Sequence, residues 1–335
     1  MNDRRRINPP PGGTTPPAFL HSTKATNRPV RTRPANLPRS IFLQTGLVPS
    51  ASGSAYLELQ SSSSPPSKIS LIPTSSSPKI TCTVHGPRPL PRSAPFSSTL
   101  VLSTHVKFAP FATRARRGYV RDASERDLGV HLETALRGVI LGERWPKSGV
   151  EVVITVLEGE EDAWWADDRG EGSGAANAGW GMMSVLAACI TAASAALVDA
   201  GIDCVDMITG GVAAIVRSTG HAADATVNGG SRSVVVLDPC PSEHEYIQAA
   251  CVVGYLRARD EVTELWMRGD AGPESESLLD QAVQAAILAR TVLSETMREA
   301  ALLKFDKQAA ELNSDNATGD ATRRKAKSKD VAMTG

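Results

Sequence analysis

The chain has 335 residues, in which 36 Lys and Arg are balanced by 36 Asp and Glu. That length holds one large domain or two small ones, and with a zero formal charge no global field points to nucleic acid. Aromatics at only 4%, with 22 Pro and 27 Gly, leave part of the chain too poor in apolar bulk to fold.

Residues 1–37 read as a disordered basic tail: Arg4, Arg5, Arg6, Lys24, Arg28, Arg31 and Arg33 stand against Asp3, and prolines recur throughout. The tail lacks the apolar stretch of a secretory signal, and its prolines oppose the amphipathic helix of a transit peptide. Gly53–Gln60 alternates like a strand, and Lys79–Pro87 reads as a second. Between them, 61–78 is a Ser/Pro insertion, so the pair predicts a hairpin with a lengthened tip. Thr99–Phe108 is a third strand, followed by the basic loop Thr113–Arg121. An amphipathic helix comes next, with Leu128, Leu132, Leu136, Val139 and Ile140 on one face and a capping signature at Ser124 and Asp127. Val150–Glu158 is a strongly β-branched strand, and 159–178 an acidic, glycine-rich surface insertion.

Gly179–Gly201 is organised differently. Leu186, Ile190, Ala193 and Leu197 recur at helical spacing, and the rest is small. Small residues on every face admit close neighbours on several sides, so this predicts a buried central helix with Ser184 as N-cap and Gly201 just past its end. Four more strands are expected at Val205–Ser218, Ser231–Asp238, Ala249–Ala258 and Glu261–Asp270, the last two as a hairpin turning near Arg259-Asp260. A long helix runs from Pro273 to about Leu312, and 313–335 reads as a disordered tail. The order implies an α+β layout with helices on largely antiparallel sheets, in one domain over 38–312.

Chemistry-bearing motifs are few. Gly174 and Gly179 have the spacing of phosphate-loop glycines, but Trp180 stands where the lysine belongs. The six histidines lie far apart and the five cysteines show no CxxC spacing, so no metal or cofactor is implied; the cysteines read as core residues in a reducing compartment. Arg114, Arg116, Arg117 and Arg121 are the local candidates for RNA contact; a solvated loop paired with Asp122, Glu125 and Asp127 is the alternative.

Taken in order, GSAYLEL, TCTVHGP, the Arg-rich loop before ERDLGVHLETALRGVI, PKSGVEVVITVLE, ITAASAALVDAGI and VVVLDPCPSEHE resemble the RNase PH family of phosphorolytic exoribonucleases, over about Pro38 to Lys304. With RDEVTELWMRGD, the set is most similar to RNase PH-like subunits of the RNA exosome ring, in a fungal-style chain with long insertions. The resemblance implies a fold of two halves like domain 2 of ribosomal protein S5. It also implies a phosphate site at the central helix, formed by a Gly-Thr/Ser-Arg element, and a later DLxxxED element. The positions that match the first are Ser184, Val185 and Leu186; the second reads Asp238 to His244, with His244 in place of the last aspartate. With both elements degenerate at Val185, Leu186, Asp238 and His244, the expectation is a catalytically inactive ring subunit. Asp238 itself reads as a turn or capping residue. The implied partners are other RNase PH-like chains, cap proteins with S1 or KH domains, a separate hydrolytic nuclease, and RNA. The implied setting is RNA processing in nucleus, nucleolus and cytoplasm. The competing readings are an active phosphorolytic nuclease and a free-standing RNA-binding module.

Overall fold

The structure is a computed structural model and describes residues 29, 31–60, 77–114, 116–162, 179–218, 232–244 and 246–332. Most of the Ser/Pro insertion, 163–178 of the acidic one, and the start of the N-terminal tail lie outside these. Two compact units are present, Met1–Leu293 and Ser294–Gly335.

The first unit contains two sheets. One has the order β1-β2-β3-β5-β4, built from β1 (Ile41–Thr45), β2 (Gly53–Leu59), β3 (Lys79–Pro89), β4 (Val101–Phe108) and β5 (Ser148–Glu158). Its pairs are antiparallel except β4 with β5, which are parallel and joined through α1 (Ala123–Arg137). This is a βαβ unit whose two strands are direct neighbours, and β2 and β3 form the expected hairpin. The other sheet has the order β7-β6-β8-β9, all antiparallel, from β6 (Thr209–Ser218), β7 (Arg232–Leu237), β8 (Ile247–Leu256) and β9 (Glu261–Gly269). The hairpin of β8 and β9 turns at Arg257–Asp260, where Asp260 takes a φ of 53°.

Between the sheets runs α2 (Trp180–Asp199), in which every residue from Met183 to Leu197 is buried. It is long and apolar enough for a membrane span, yet its surface is covered by protein. The smallness of its residues is what permits this. A Cβ on Gly53 of β2 would lie 2.3 Å from the Ala196 carbonyl oxygen, and one on Gly210 of β6 would lie 2.1 Å from that of Ala187. The far face of the second sheet packs Ala213, Ile215, Cys251 and Val253 against Leu278, Ala282 and Ala286 of α3 (Ser275–Ala332). Burying such side chains contributes about 1.5–3 kcal/mol for each large one.

Four local expectations change. α1 is capped two residues earlier than Ser124, by a capping box of Asp122 and Glu125. Glu125 is drawn inward because its carboxylate also accepts from the Phe108 N–H at 3.0 Å and the Lys107 ammonium. α2 begins at Trp180, so Ser184 sits inside the helix and Gly179, at φ 96°, is the N-cap; Gly201 does take the left-handed turn, at φ 71°. β1 was not anticipated. The backbone of α3 continues to Ala332, past the expected end near Leu312, even though 313–322 (NSDNATGDAT) is poor in strong helix formers.

Candidate functional site

At the N-terminus of α2 an anion could in principle be held by free backbone N–H groups. Here the chain supplies its own: Asp162 Oδ1 accepts the Gly181 N–H at 2.9 Å. Arg268 of β9 lies with its guanidinium carbon 5.4 Å from the Trp180 ring centre. Ser184, Val185 and Leu186 fall past this first turn, where backbone N–H groups are spent on the i→i−4 ladder. With Trp180 to Met183 forming the first turn, the backbone N–H groups of Ser184, Val185 and Leu186 are not free to bind an anion. The Ser184 hydroxyl donates to the Pro239 carbonyl at 3.1 Å, and Val185 and Leu186 are 0% exposed.

Asp238, at the end of β7, takes a left-handed φ of 48°, and its N–H donates to the Val212 carbonyl. It is thus a turn residue as expected, but its carboxylate has a second occupation. Oδ2 accepts Arg39 Nε at 2.8 Å and the Arg39 N–H at 2.9 Å, and Oδ1 accepts Arg39 Nη2 at 2.8 Å. The remaining Nη1 of Arg39 reaches Glu160 Oε2 at 2.6 Å, and the Cys240 thiol donates to Glu160 Oε1 at 3.1 Å. Arg33 donates to the Asp238 carbonyl at 2.7 Å and pairs with Glu243 at 3.4 Å; Arg31 donates to the carbonyls of Leu237 and Asp238. Arg39 and Arg33 thus meet three carboxylates, Asp238, Glu160 and Glu243, with Arg31 held on the adjoining backbone carbonyls. Two readings are corrected by this. Arg31 and Arg33, placed in the tail, are docked on the domain; and Glu160, placed in a surface insertion, is 6% exposed. Beside the set lies a cavity of about 40 Å³, lined by Arg39, Ser184, Thr191, Gly210 and Asp238 among others. That is room for a water or two, an order of magnitude below a ligand pocket. His244 follows a short 3-10 turn, Pro241–Glu243, with its N–H on the Pro241 carbonyl at 3.3 Å.

Burial alone would raise the Asp238 pKa, but the charge and hydrogen bonds of Arg39, then the charge of Arg33, outweigh it and hold it far below the usual carboxylate range. Burial, reinforced by Glu160, pushes the Cys240 thiol well up, so it is no nucleophile. A carboxylate with a depressed folded-state pKa contributes stability that is present above its unfolded value, about 3.9, and is lost as pH falls below it. Urea denaturation between pH 6 and 3 is expected to show this loss, with a shallower fall in an Asp238→Asn variant. Equal pH dependence in both would remove Asp238 as its source.

The basic loop borders this set. Gly159 N–H donates to the Ala112 carbonyl at 2.8 Å, and the Arg114 N–H to Glu161 Oε1 at 2.8 Å. The four arginines are not equivalent. Arg117 lies over the Phe108 ring at 4.8 Å and pairs with Asp122 at 3.6 Å; Arg121 donates to His105 Nδ1 at 3.0 Å. Arg114 and Arg116 are exposed. Of the expected ion-pair partners, Asp122 engages the loop, whereas Glu125 is turned into the core. Arg33, Arg39 and Glu160 were missed because nothing local marks them: Arg39 and Asp238 are 199 residues apart.

The comparisons with known proteins agree with this layout. Residues 38–203 match the RNase PH model, described as the 3′ exoribonuclease family, domain 1. The chain is 51% identical over 308 residues to exosome complex component MTR3 of Chaetomium thermophilum, covering 89% of this chain and 99% of that one. It is 30% identical to exosome complex component mtr3 of Schizosaccharomyces pombe, over 84% of this chain and 90% of the relative. Rice Rrp46 has the same fold, with a TM-score of 0.57 at 16% identity, covering 80% of this chain and 98% of that one. Similarity of this extent along nearly the whole of its relatives places the chain in the RNase PH-type 3′ exoribonuclease family, on the branch of the MTR3 exosome components.

Proposed function

We propose that the chain is a non-catalytic subunit of an RNA exosome ring, supporting 3′–5′ RNA processing and decay by helping to pass RNA to a separate hydrolytic nuclease. On this reading it sits among other RNase PH-like subunits, contacts cap proteins with S1 or KH domains, and works in nucleus, nucleolus and cytoplasm. Ring membership is supported by the 51% identity to a protein named as an exosome component. The observation that carries inactivity is the occupation of Asp238: both its carboxylate oxygens are taken by Arg39. Phosphorolysis needs phosphate positioned and its charge neutralised. With Val185 and Leu186 buried, and Arg39 and Arg33 engaged by Asp238, Glu160 and Glu243, neither of these two guanidinium groups is available to do so. Arg114 and Arg116 are the residues offered to RNA, with Arg117 and Arg121 shaping the loop.

The test is a phosphate-dependent exonuclease assay on the purified chain, alone and within the complex it co-purifies with. No release of nucleoside diphosphates attributable to this chain is expected, and a Val185→Thr/Leu186→Arg variant gains none, since the cluster at Asp238 persists. Robust phosphate-dependent release by the chain itself would sink the reading.

A further inference from the structure

Two features of the basic loop are not explained by charge. Tyr119 is 96% exposed and Phe111 is 75% exposed, on a chain whose aromatics are scarce. Exposed aromatic rings cost free energy in water, and a loop free to move would turn them inward. This loop is pinned. The Lys107 ammonium donates to the carbonyls on either side of Tyr119, Gly118 at 3.0 Å and Val120 at 3.3 Å. That ammonium is held in turn by the Glu125 carboxylate, whose side chain is wholly buried. The turn carrying Phe111 is closed by the Ala112 N–H on the Ala109 carbonyl and tied across the loop by the Arg117 N–H on the Pro110 carbonyl at 3.2 Å. The fold therefore uses a buried carboxylate and a lysine to hold the backbone on both sides of Tyr119, whose ring projects outward on the same loop as the cations Arg114, Arg116, Arg117 and Arg121.

An aromatic ring projecting outward from a pinned backbone, on a loop rich in arginine, matches one ligand chemistry, an unpaired base on a phosphate backbone. Base–aromatic stacking tolerates any base, while the cations track the backbone. A duplex keeps its bases stacked on one another and offers a protruding ring nothing to stack on. We propose that Tyr119 is a stacking platform for a base of single-stranded RNA, that Arg116 contacts the adjoining phosphate, and that Lys107 is the positioning residue for the ring. This rests on the RNA contact assigned to the loop above and adds strandedness and mode of recognition to it.

The experiment measures anisotropy of labelled oligouridylate, oligoadenylate and an RNA duplex of equal length with the full-length chain, across a salt series. Tyr119→Ala is expected to weaken both single strands by about tenfold, within the range found for one stacked base, without changing the salt slope or duplex affinity. Tyr119→Phe keeps the affinity, because stacking needs the ring and not the hydroxyl. Arg116→Ala lowers the salt slope by about 0.7 for one lost phosphate contact. Lys107→Met costs as much as Tyr119→Ala, and the double variant no more than either single one, which a general structural role for Lys107 would not reproduce. If Tyr119→Ala leaves single-strand affinity unchanged while Arg116→Ala weakens it, stacking is overturned and the RNA contact stands. Equal loss on single strand and duplex also overturns it. No binding of single strands by the unmodified chain at low salt removes the RNA contact itself.

Discussion

Replacing Arg39 with Met is expected to lower the unfolding free energy by about 3–5 kcal/mol, the cost of leaving partners of a buried ion pair uncompensated. Arg39 is 4% exposed, and its guanidinium holds Asp238 with two donors and Glu160 with a third. Without it, both carboxylates must stay charged in a poor solvent or take up protons, and either costs stability. Lys is a weak substitute, because a single ammonium cannot reproduce a planar fork that spans two carboxylates. Urea denaturation would show a lower midpoint at unchanged slope, the sign of lost stability without loss of cooperativity. The control is Arg39→Met combined with Asp238→Asn and Glu160→Gln, which removes the unpaired charges and recovers most of the loss. A wild-type midpoint for Arg39→Met alone would mean that the cluster contributes nothing to holding residues 31–39 on the domain.

That cluster marks the limit of what a single sequence reveals. The degenerate phosphate element was legible, because Val185 and Leu186 stand at fixed positions in a recognisable segment. What replaced its chemistry was not. Arg39 lies in a Pro-rich stretch beside residues that read as disordered, Glu160 opens an acidic run that reads as surface, and only the fold brings them to Asp238. The same contrast holds for the elements. The β2–β3 and β8–β9 hairpins carry their own alternation and turns, so they were readable. β1 is five residues long at a sheet edge, and its identity comes from pairing with β2. The cap of α1 moved because Glu125 is recruited by Lys107 and Phe108, contacts that local capping patterns do not contain.

The small residues of α2 were read as permitting close approach, and the structure turns that into a graded prediction about β6. Gly210 and Gly211 are adjacent in a strand, so they point to opposite faces, and each meets a helix backbone. A Cβ on Gly210 would lie 2.1 Å from the Ala187 carbonyl oxygen of α2; one on Gly211 would lie 2.1 Å from the Ala282 oxygen and 2.4 Å from the Ala286 N of α3. Backbone atoms cannot rotate away, so relief requires moving a helix. The neighbouring bonds resist that: Gly210 N–H donates to Thr191 Oγ1 at 3.0 Å, and Thr209 Oγ1 donates to the Ala286 carbonyl at 2.9 Å. Gly210→Ala and Gly211→Ala are each expected to cost about 3 kcal/mol or more, at or beyond the upper end for overpacking. Gly201→Ala is the internal reference. Its Cβ would meet nothing within 4 Å, so it carries only the left-handed strain of φ 71°, about 1–2 kcal/mol. Soluble yield and urea midpoints of the three variants rank them. If Gly211→Ala proved as mild as Gly201→Ala, α3 could not be seated on β6 as closely as these distances require.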